Sequence, residues 1–300
     1  QGYQGGGVVV PAPRVFCEHV SGGIRTSRRA HTAPCPLGSV QAGFMAQDFA
    51  TEPLGVQADA GQGGMHADLP ERAQAAWEGY LRFRDDSGQK CADCWLLDAF
   101  CCCKDVSSVT LRQRVVLLMH HTELSKRRAS NTAKLLVRFG AQLLVWGVEE
   151  HDRQLREVLE RGDALVLFPS AGAARAVDLA RAAREGAETP SCIIVLDGGW
   201  KETRKMNQSI DPRVMRCCVS TASRDRYGNT RKYKNGEGDR VQTAGAFIAL
   251  LRELGEDEAR VRELEAGLSS FLGSFERQLH WSGVPEADLR TSVPRRPAAA

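Results

Sequence analysis

The chain has 300 residues, of which 42% are hydrophobic and 26% are charged, and its net charge is +3. This length fits one large domain or two ordinary ones, and the hydrophobic fraction is sufficient for a packed core. No apolar run approaches the roughly 20 residues of a membrane-spanning helix, which predicts a soluble protein with no membrane partner. The small net charge does not by itself indicate a nucleic-acid partner.

Residues 1–65 differ in composition from the rest of the chain. They are rich in glycine and proline, and up to Gln47 the only acid is Glu18, against four arginines. Such an acid-poor N-terminus is typical of organelle-targeting segments, and a plain disordered tail has the same composition, so both interpretations stay open. The first predicts a mitochondrial protein and the second a cytoplasmic or nuclear one. Because such segments rarely order alone, we expect a large ribonucleoprotein partner to hold the extension.

Residues 66–89 are expected to contain a helix that docks this extension onto the following domain. Asp68 opens the predicted helix, and Pro70 suits its first turn. Helical spacing mostly holds for the apolar residues Ala73, Trp77, Leu81 and Phe83.

A cluster of cysteines follows in residues 90–105, within the sequence CADCWLLDAFCCC. The C-x-x-C spacing of the first two can turn around one tetrahedral zinc ion, and a C-x-C pair can close the site. Residues two apart in an extended segment point the same way, which selects the outer two of the last three cysteines and leaves Cys102 aside. A set of buried thiols is the alternative. The prediction is a structural Zn²⁺ bound by Cys91, Cys94, Cys101 and Cys103.

From residue 114 onward, apolar runs alternate with helical segments. Continuous apolar runs are typical of buried parallel strands, and the runs here are residues 115–121, 141–147, 163–170, 192–199 and 216–220. The predicted helices are residues 130–140, 149–163, 171–186, 242–255 and 257–280, and a helix-prone segment follows residue 199. Residues 130–132 are expected to cap their helix. This alternation predicts an α/β fold, a mostly parallel sheet with helices on both faces.

In sheets of this kind, ligands bind outside the carboxyl ends of the strands. Here several strand ends carry polar residues or glycines, which predicts a binding site at that edge. The first strand–helix turn has no G-x-G-x-x-G or P-loop motif, and no G-x-S-x-G elbow is present. These observations argue against a dinucleotide site, a P-loop site and a serine nucleophile of the hydrolase type.

Several motifs, in their order along the chain, resemble those of one family. After the C-x-x-C and C-x-C pairs come HHTELSKRRASNTAKLL, LVLFPSAGA, LDGGWKETRKM, TRKYK and QTAGAFIALL, over about residues 91–254. Together they resemble the DTW-domain family of RNA-uridine aminocarboxypropyltransferases, which is related to the SPOUT methyltransferases. The resemblance implies a DTW domain over residues 90–255, followed by a C-terminal helix and tail (256–300). It also implies a SPOUT-like fold with a trefoil knot in the C-terminal half of the domain.

The resemblance further implies a reaction. S-adenosylmethionine would donate its 3-amino-3-carboxypropyl group to N3 of a uridine in tRNA. N3 must lose a proton to become a good nucleophile, and a nearby carboxylate is the natural base, which makes Asp197 the predicted catalytic residue. Trp200 can stack on the adenine or the uracil, or pack at the strand–helix junction. The residues predicted to bind S-adenosylmethionine are His120, Thr122, Glu123, Pro169, Ser170, Gly172, Leu196, Gly198, Gly199 and Trp200.

Basic residues cluster after the signature and in a later loop. Basic side chains hold phosphates and aromatic ones stack on splayed bases, and Tyr227 and Tyr233 lie among the basic residues of that loop. A solvated charged loop is the alternative. The predicted RNA-binding residues are Lys201, Arg204, Lys205, Arg224, Arg226, Arg231, Lys232 and Lys234.

Two positions depart from the family's pattern. Gly199 replaces the threonine of the Asp-x-Thr-Trp signature, and Gly245 replaces a glutamate in a later Thr-x-Glu-Ala segment. These departures support an alternative of another class, a non-catalytic RNA-binding protein that keeps the fold as a scaffold. Such a protein would serve, for example, in organelle ribosome assembly with rRNA as its partner. A SPOUT-type methyltransferase that uses the same cofactor is a third hypothesis.

Overall fold

The structure is a computed structural model that describes residues 68–220, Tyr227 and residues 241–283. In these residues a sheet of six parallel strands has the order β2-β1-β5-β3-β6-β4. This confirms the predicted α/β class, whereas the trefoil knot stays a prediction. The strands are β1 (Arg114–His120), β2 (Gln142–Trp146), β3 (Ala164–Leu167), β4 (Ala174–Arg175), β5 (Cys192–Asp197) and β6 (Met215–Cys218).

The short strand β4 has no counterpart among the predicted strands. Its two residues pair with Cys217 and Cys218 of β6. Two residues are too few to show a hydrophobic period, so this edge of the sheet has no signal in the sequence.

The helices lie between and after the strands. Helix α2 follows β1 directly and is not among the predicted helices, and α3 begins four residues later than its predicted helix. The described helices are α1 (Leu69–Asp85), α2 (His121–Lys126), α3 (Lys134–Arg138), α4 (Glu149–Glu160), α5 (Ala176–Arg184), α6 (Trp200–Ser209), α7 (Thr243–Glu253) and α8 (Glu258–Trp281).

Helix α1 packs on the strand edge of the domain. Ala73 and Tyr80 belong to the domain's hydrophobic core, and the ring of Trp77 meets that of His151 edge-on, with centroids 4.6 Å apart. Gly147, which follows β2, has φ +90°, and a Cβ there would lie 3.0 Å from Leu69 of α1. The extension that α1 was predicted to dock lies outside the described residues, so that role stays a prediction.

Both faces of the sheet are buried, as a parallel sheet requires. Ile193 and Val195 of β5 point to a core that includes α7 and α8, and their neighbour Ile194 points to a second core that includes α4 and α6. All three side chains are at most 1% exposed. Because successive side chains of a strand alternate between faces, the same alternation decides which face each strand-end residue occupies.

Arg216 of β6 closes the C-terminal end of α6. Its guanidinium donates to the backbone carbonyls of Asn207 (3.0 Å), Ile210 (2.8 Å), Asp211 (2.6 Å) and Val214 (2.5 Å), and to the side-chain carbonyl of Asn207 (3.1 Å). The last carbonyls of a helix lack donors within the helix, and here the guanidinium of Arg216 supplies those donors. This contact holds α6, whose other end lies at the end of β5, against the sheet.

Arg216→Lys should destabilise the protein by about 1–3 kcal/mol, because an ammonium cannot reproduce the planar five-donor fork. Urea unfolding measures this as a lower midpoint. Arg213→Lys is the matched control, since Arg213 makes an exposed ion pair with Asp211 and should change stability by less than about 0.5 kcal/mol. Equal losses in the two variants would contradict the capping role of Arg216.

Candidate active site and metal centre

The cysteine cluster brings four thiols together. The Sγ atoms of Cys91, Cys94, Cys101 and Cys103 all lie within 4.8 Å of one another, and those of Cys91 and Cys103 are 3.6 Å apart. A tetrahedron with Zn–S bonds of about 2.3 Å has edges of roughly 3.8 Å, so the four thiols fit a zinc ion. Cys102 is fully buried in the core and lies outside this set. The predicted cluster is therefore confirmed as one that could hold a metal, and its occupant stays a prediction.

A tight turn creates this arrangement. The backbone N–H of Cys91 donates to the carbonyl of Leu96 (2.8 Å), and that of Trp95 donates to the carbonyl of Cys91 (3.0 Å). Trp95 adopts φ +55°, which lets the chain reverse between Cys94 and the next strand-like residues. Hydrogen bonds from the thiols of Cys102 and Cys103 lower the pKa of Cys94 below its usual range, and the same bonds raise the pKa of both donors. A metal ion that binds the four cysteines would therefore have to displace the protons of the other thiols.

Asp197 ends β5 as a buried carboxylate that is 6% exposed. Its Oδ1 accepts a hydrogen bond from Oγ1 of Thr243 (2.8 Å), and its Oδ2 accepts one from Nδ2 of Asn131 (2.8 Å). The same nitrogen of Asn131 donates to Oε2 of Glu123 (3.0 Å). Residues from α2, the loop before α3, β5 and α7 thus meet around two carboxylates. We call these four residues, Glu123, Asn131, Asp197 and Thr243, the carboxylate cluster.

A buried lysine, Lys134, stabilises the loop that carries Asn131. The ammonium of Lys134 donates to the carbonyls of Arg128 (3.3 Å) and Ala129 (2.9 Å). It also lies 5.1 Å from the ring centroid of Trp95 and 4.7 Å from that of Phe271. These contacts connect residues 90–105, which we call the metal segment, and α8 to the loop of the carboxylate cluster.

Asn131 has two roles in the structure. Its Oδ1 accepts from the backbone N–H of Lys134 (3.4 Å), the first residue of α3, although the N-cap position is Ala133 and makes no side-chain cap. The donation of its amide to Glu123 and Asp197 was not predicted. Thr243 was predicted only as part of a family motif, with no role in the site. The signal in the sequence that could have indicated Asn131 is the run of small polar residues 130–132, which lies before α3.

The opposite face of the sheet carries aromatic rings at the same edge. The ring of His120 lies 4.3 Å from that of His121 and 5.7 Å from that of Trp146. On the same face, but beyond β5 toward β3, the ring centroids of Phe168 and Trp200 are 6.1 Å apart, and Trp200 is 38% exposed. The strand end therefore separates an acidic cluster from two aromatic pairs.

Two glycines link these two faces. A Cβ on Gly198 would lie 3.1 Å from that of His120, so a larger residue there would push against β1. Gly199 occupies the N-cap position of α6, with φ −66° and ψ 158°, and makes no side-chain cap. The signature threonine of the family would therefore stand at a helix N-cap, a position that favours threonine.

Other predicted residues occupy different surroundings. The side chain of Leu196 is 7% exposed and packs in the core beneath the aromatic face. Pro169 and Gly172 lie in an exposed turn after β3, in which the N–H of Ala173 donates to the carbonyl of Ser170 (3.0 Å). The structure therefore places the predicted residues around His120, Pro169 and Asp197 at the predicted edge of the sheet, whereas Leu196 faces the core.

His120 is held in one tautomer. Its Nδ1 accepts from the backbone N–H of Thr122 (3.3 Å) and lies 2.9 Å from the hydroxyl of Thr122. A backbone N–H can only donate, so Nδ1 is an acceptor and Nε2 carries the proton of the neutral ring. Burial, with a smaller contribution from the charge of His121, lowers the pKa of His120 to about 4. His120 is therefore neutral at physiological pH.

Comparison with known families decides which family this arrangement belongs to. The family model of the DTW domain matches residues 88–278, which is more than half of the chain. The chain belongs to the DTW-domain family. No solved structure matches it. Membership is consistent with a tRNA-modifying or RNA-binding role.

The matched region of this DTW domain begins after α1 and reaches into α8. Among the described residues, no helix is long and apolar enough to cross a membrane. Of the residues predicted to bind RNA, Lys201 and Arg204 are exposed on α6 and Lys205 is half-buried there. Outside the described residues lie Arg224, Arg226, Arg231, Lys232 and Lys234.

The predicted stacking of Tyr227 on RNA is wrong. Tyr227 is 5% exposed, and its hydroxyl donates to Oε1 of Glu265 (2.7 Å) and accepts from Arg252 (2.6 Å). Its Cβ lies 2.6 Å from the place that a Cβ on Gly245 would take. The tyrosine is part of the core because the glycine leaves room for it.

Purified protein should contain about one zinc per chain, and Cys94→Ser should lose it because the serine hydroxyl is a poor zinc ligand. Cys102→Ser is the matched control, since Cys102 is buried beside the cluster without belonging to it. Elemental analysis of both variants measures the metal. Equal loss from both would contradict the assignment of the four ligands.

His120 should make the protein less stable in acid. Its pKa is about 4 in the folded protein, whereas the ordinary pKa of histidine is 6.5, so the unfolded chain binds the proton more tightly. Stability is therefore fully present above pH 6.5 and falls as the pH drops toward 4, with a slope approaching about 1.4 kcal/mol per pH unit. The pKa values of His121 and His151 are lowered in the same direction.

Urea unfolding between pH 7.5 and 4.5 measures this slope, and His120→Gln should make it shallower because it removes one titrating group. His280→Gln is the control, since it removes an exposed histidine from the end of α8. Identical slopes for wild type and His120→Gln would show that His120 does not cause the acid sensitivity.

Proposed function

We propose that this DTW domain transfers the 3-amino-3-carboxypropyl group of S-adenosylmethionine to N3 of a uridine in tRNA. The observation that carries the proposal is the carboxylate of Asp197, buried at the carboxyl end of β5 with each oxygen oriented by a donor. The edge at which it lies is the usual ligand edge of a parallel sheet. Gly198 and Gly199, which follow directly, have no side chains to keep a ligand away from the backbone.

Asp197 is proposed as the general base. S-adenosylmethionine supplies an electrophilic carbon next to its sulfonium, where an N–C bond forms as the C–S bond breaks and methylthioadenosine leaves. The carboxylate of Asp197 accepts the proton from N3 and later returns it to water. Thr243 and Asn131 hold both oxygens in place, so the base does not need to reorient during the reaction.

The two faces of the strand end support different parts of the proposed site. The aromatic pairs His120–Trp146 and Phe168–Trp200 offer flat surfaces on which a purine or a uracil can stack. The carboxylate cluster occupies the opposite face. A ligand that crosses the glycines would reach both faces, and Pro169, Ser170 and Gly172 would border it on the side of β3.

The RNA would approach from the side of α6. Lys201 and Arg204 are exposed directly after Trp200, where they can hold phosphates. The basic residues from Arg224 to Lys234 are also proposed to bind RNA, since they form a second basic cluster in the sequence. Such binding would weaken as salt is raised.

The two glycine departures support the alternative of a non-catalytic RNA-binding protein. At Gly199 a new side chain would meet only the carboxylate end of Glu202, which can move aside. At Gly245 it would meet the Cβ of Tyr227 at 2.6 Å, so a glutamate would fit there only if the tyrosine left its place. A buried tyrosine thus occupies the region where the family has an acid.

The central test is Asp197→Asn, which keeps the shape and one acceptor oxygen but cannot take the N3 proton. Transfer should fall by about 10²–10⁴-fold while S-adenosylmethionine and RNA still bind. The measurement combines calorimetry with mass spectrometry of nucleosides, using RNA from cells that lack the protein. Asp211→Asn, at an exposed ion pair with Arg213, is the control and should leave transfer unchanged.

Each other outcome points to a different conclusion. Wild-type turnover in Asp197→Asn would show that another group is the base. A methylated product would favour the methyltransferase hypothesis. If the wild-type protein binds both ligands and transfers nothing, the scaffold alternative is favoured, and Gly199→Thr then tests whether the missing threonine is the cause.

A further inference from the structure

We propose that Asn131 is a positioning residue, whose single amide nitrogen bridges Glu123 and Asp197 and keeps Asp197 ionised and oriented for its role as the base. The catalytic part of this inference rests on the proposed function. The bridge itself can be tested on the protein without any turnover.

The geometry assigns both hydrogens of the amide. Nδ2 of Asn131 lies 2.8 Å from Oδ2 of Asp197 and 3.0 Å from Oε2 of Glu123, so each N–H has one carboxylate as its acceptor. The orientation of the amide is fixed because Oδ1 lies 3.4 Å from the backbone N–H of Lys134, which can only donate. The amide oxygen therefore faces the helix, and the amide nitrogen faces the two acids.

Burial makes this bridge important. Asn131 is 1% exposed, Glu123 is 3% and Asp197 is 6%, so water provides little screening. Two carboxylates that share one nitrogen repel each other when both are ionised, and such pairs commonly keep a proton between them. A hydrogen bond to the ionised form opposes this, and Asn131 donates one to each carboxylate. Without the amide, Asp197 loses a donor to its ionised form and should bind a proton at higher pH, and a protonated Asp197 cannot act as a base.

The backbone around Asn131 keeps the bridge in place. The hydroxyl of Thr132 accepts from the N–H of Ala244 (3.3 Å), which joins this loop to the first turn of α7. Thr243, the residue before Ala244, is the second donor to Asp197. The loop and the helix therefore hold Asp197 from two sides, and Thr132 takes part in this arrangement.

The test is a carbon-detected NMR titration of the side-chain carboxyl of Asp197 in the full chain. In Asn131→Ala its apparent pKa should rise by at least about one unit, a tenfold gain in proton affinity. Asn131→Ser, whose hydroxyl can donate to only one of the acids, should give a smaller rise and serves if the alanine variant does not fold. Ser274→Ala is the matched control, since it removes a buried hydroxyl of α8 that does not belong to the carboxylate cluster, and it should leave the titration unchanged.

Kinetics supply an independent readout. If the proposed transfer occurs, the acid limb of the kcat–pH profile in Asn131→Ala should move upward by the same shift, with the KM for S-adenosylmethionine changed less than kcat. If Asp197 titrates in both Asn131 variants as it does in Ser274→Ala, the bridge would be overturned. A shifted titration in a protein that transfers nothing would uphold the bridge and reject the proposed function.

Discussion

A buried amine must find partners that replace water, and Lys134, whose pKa is lowered by burial to about 7, finds them in three parts of the chain. Two backbone carbonyls of the loop before Asn131 accept its hydrogen bonds, while the rings of Trp95 and Phe271 lie near its nitrogen. The metal segment, α8 and the loop of the carboxylate cluster therefore share one contact. The position of Asn131 depends on this loop, and through Asn131 so does that of Asp197.

The alternation of side chains at the end of β5 divides the site into two chemical environments. Asp197 continues the face of Val195 and meets Thr243 of α7, whereas His120 and Trp200 lie with α6 on the other side. One edge of the sheet thus combines acids held by amide and hydroxyl donors with rings suited to stacking. The backbone at Gly198 and Gly199 is the passage between these environments, and the close approach of His120 to Gly198 shows why a side chain is unfavourable there.

The glycine at position 245 has a structural reason that its sequence context does not show. Tyr227 fills the space beside it, and its hydroxyl joins the ion pair of Arg252 and Glu265, which links α7 to α8. A side chain at position 245 and the buried Tyr227 therefore exclude each other. Restoring the acid alone would place two side chains in the volume of one, and this separates Gly245 from Gly199, where only the end of Glu202 must move.

The sequence by itself determined the class of fold, the cysteine cluster and the strand end that carries Asp197. These features depend on local patterns: continuous apolar runs, the spacing of thiols, and polar residues at the ends of strands. The tertiary structure alone decided that Asn131 and Thr243 orient Asp197, that Tyr227 is buried beside Gly245, and that β4 completes the sheet. Asn131 and Thr243 lie 66 and 46 residues from Asp197 in the chain. Contacts of this range have no periodic signal, because they are set by how whole elements pack and not by the neighbours of each residue.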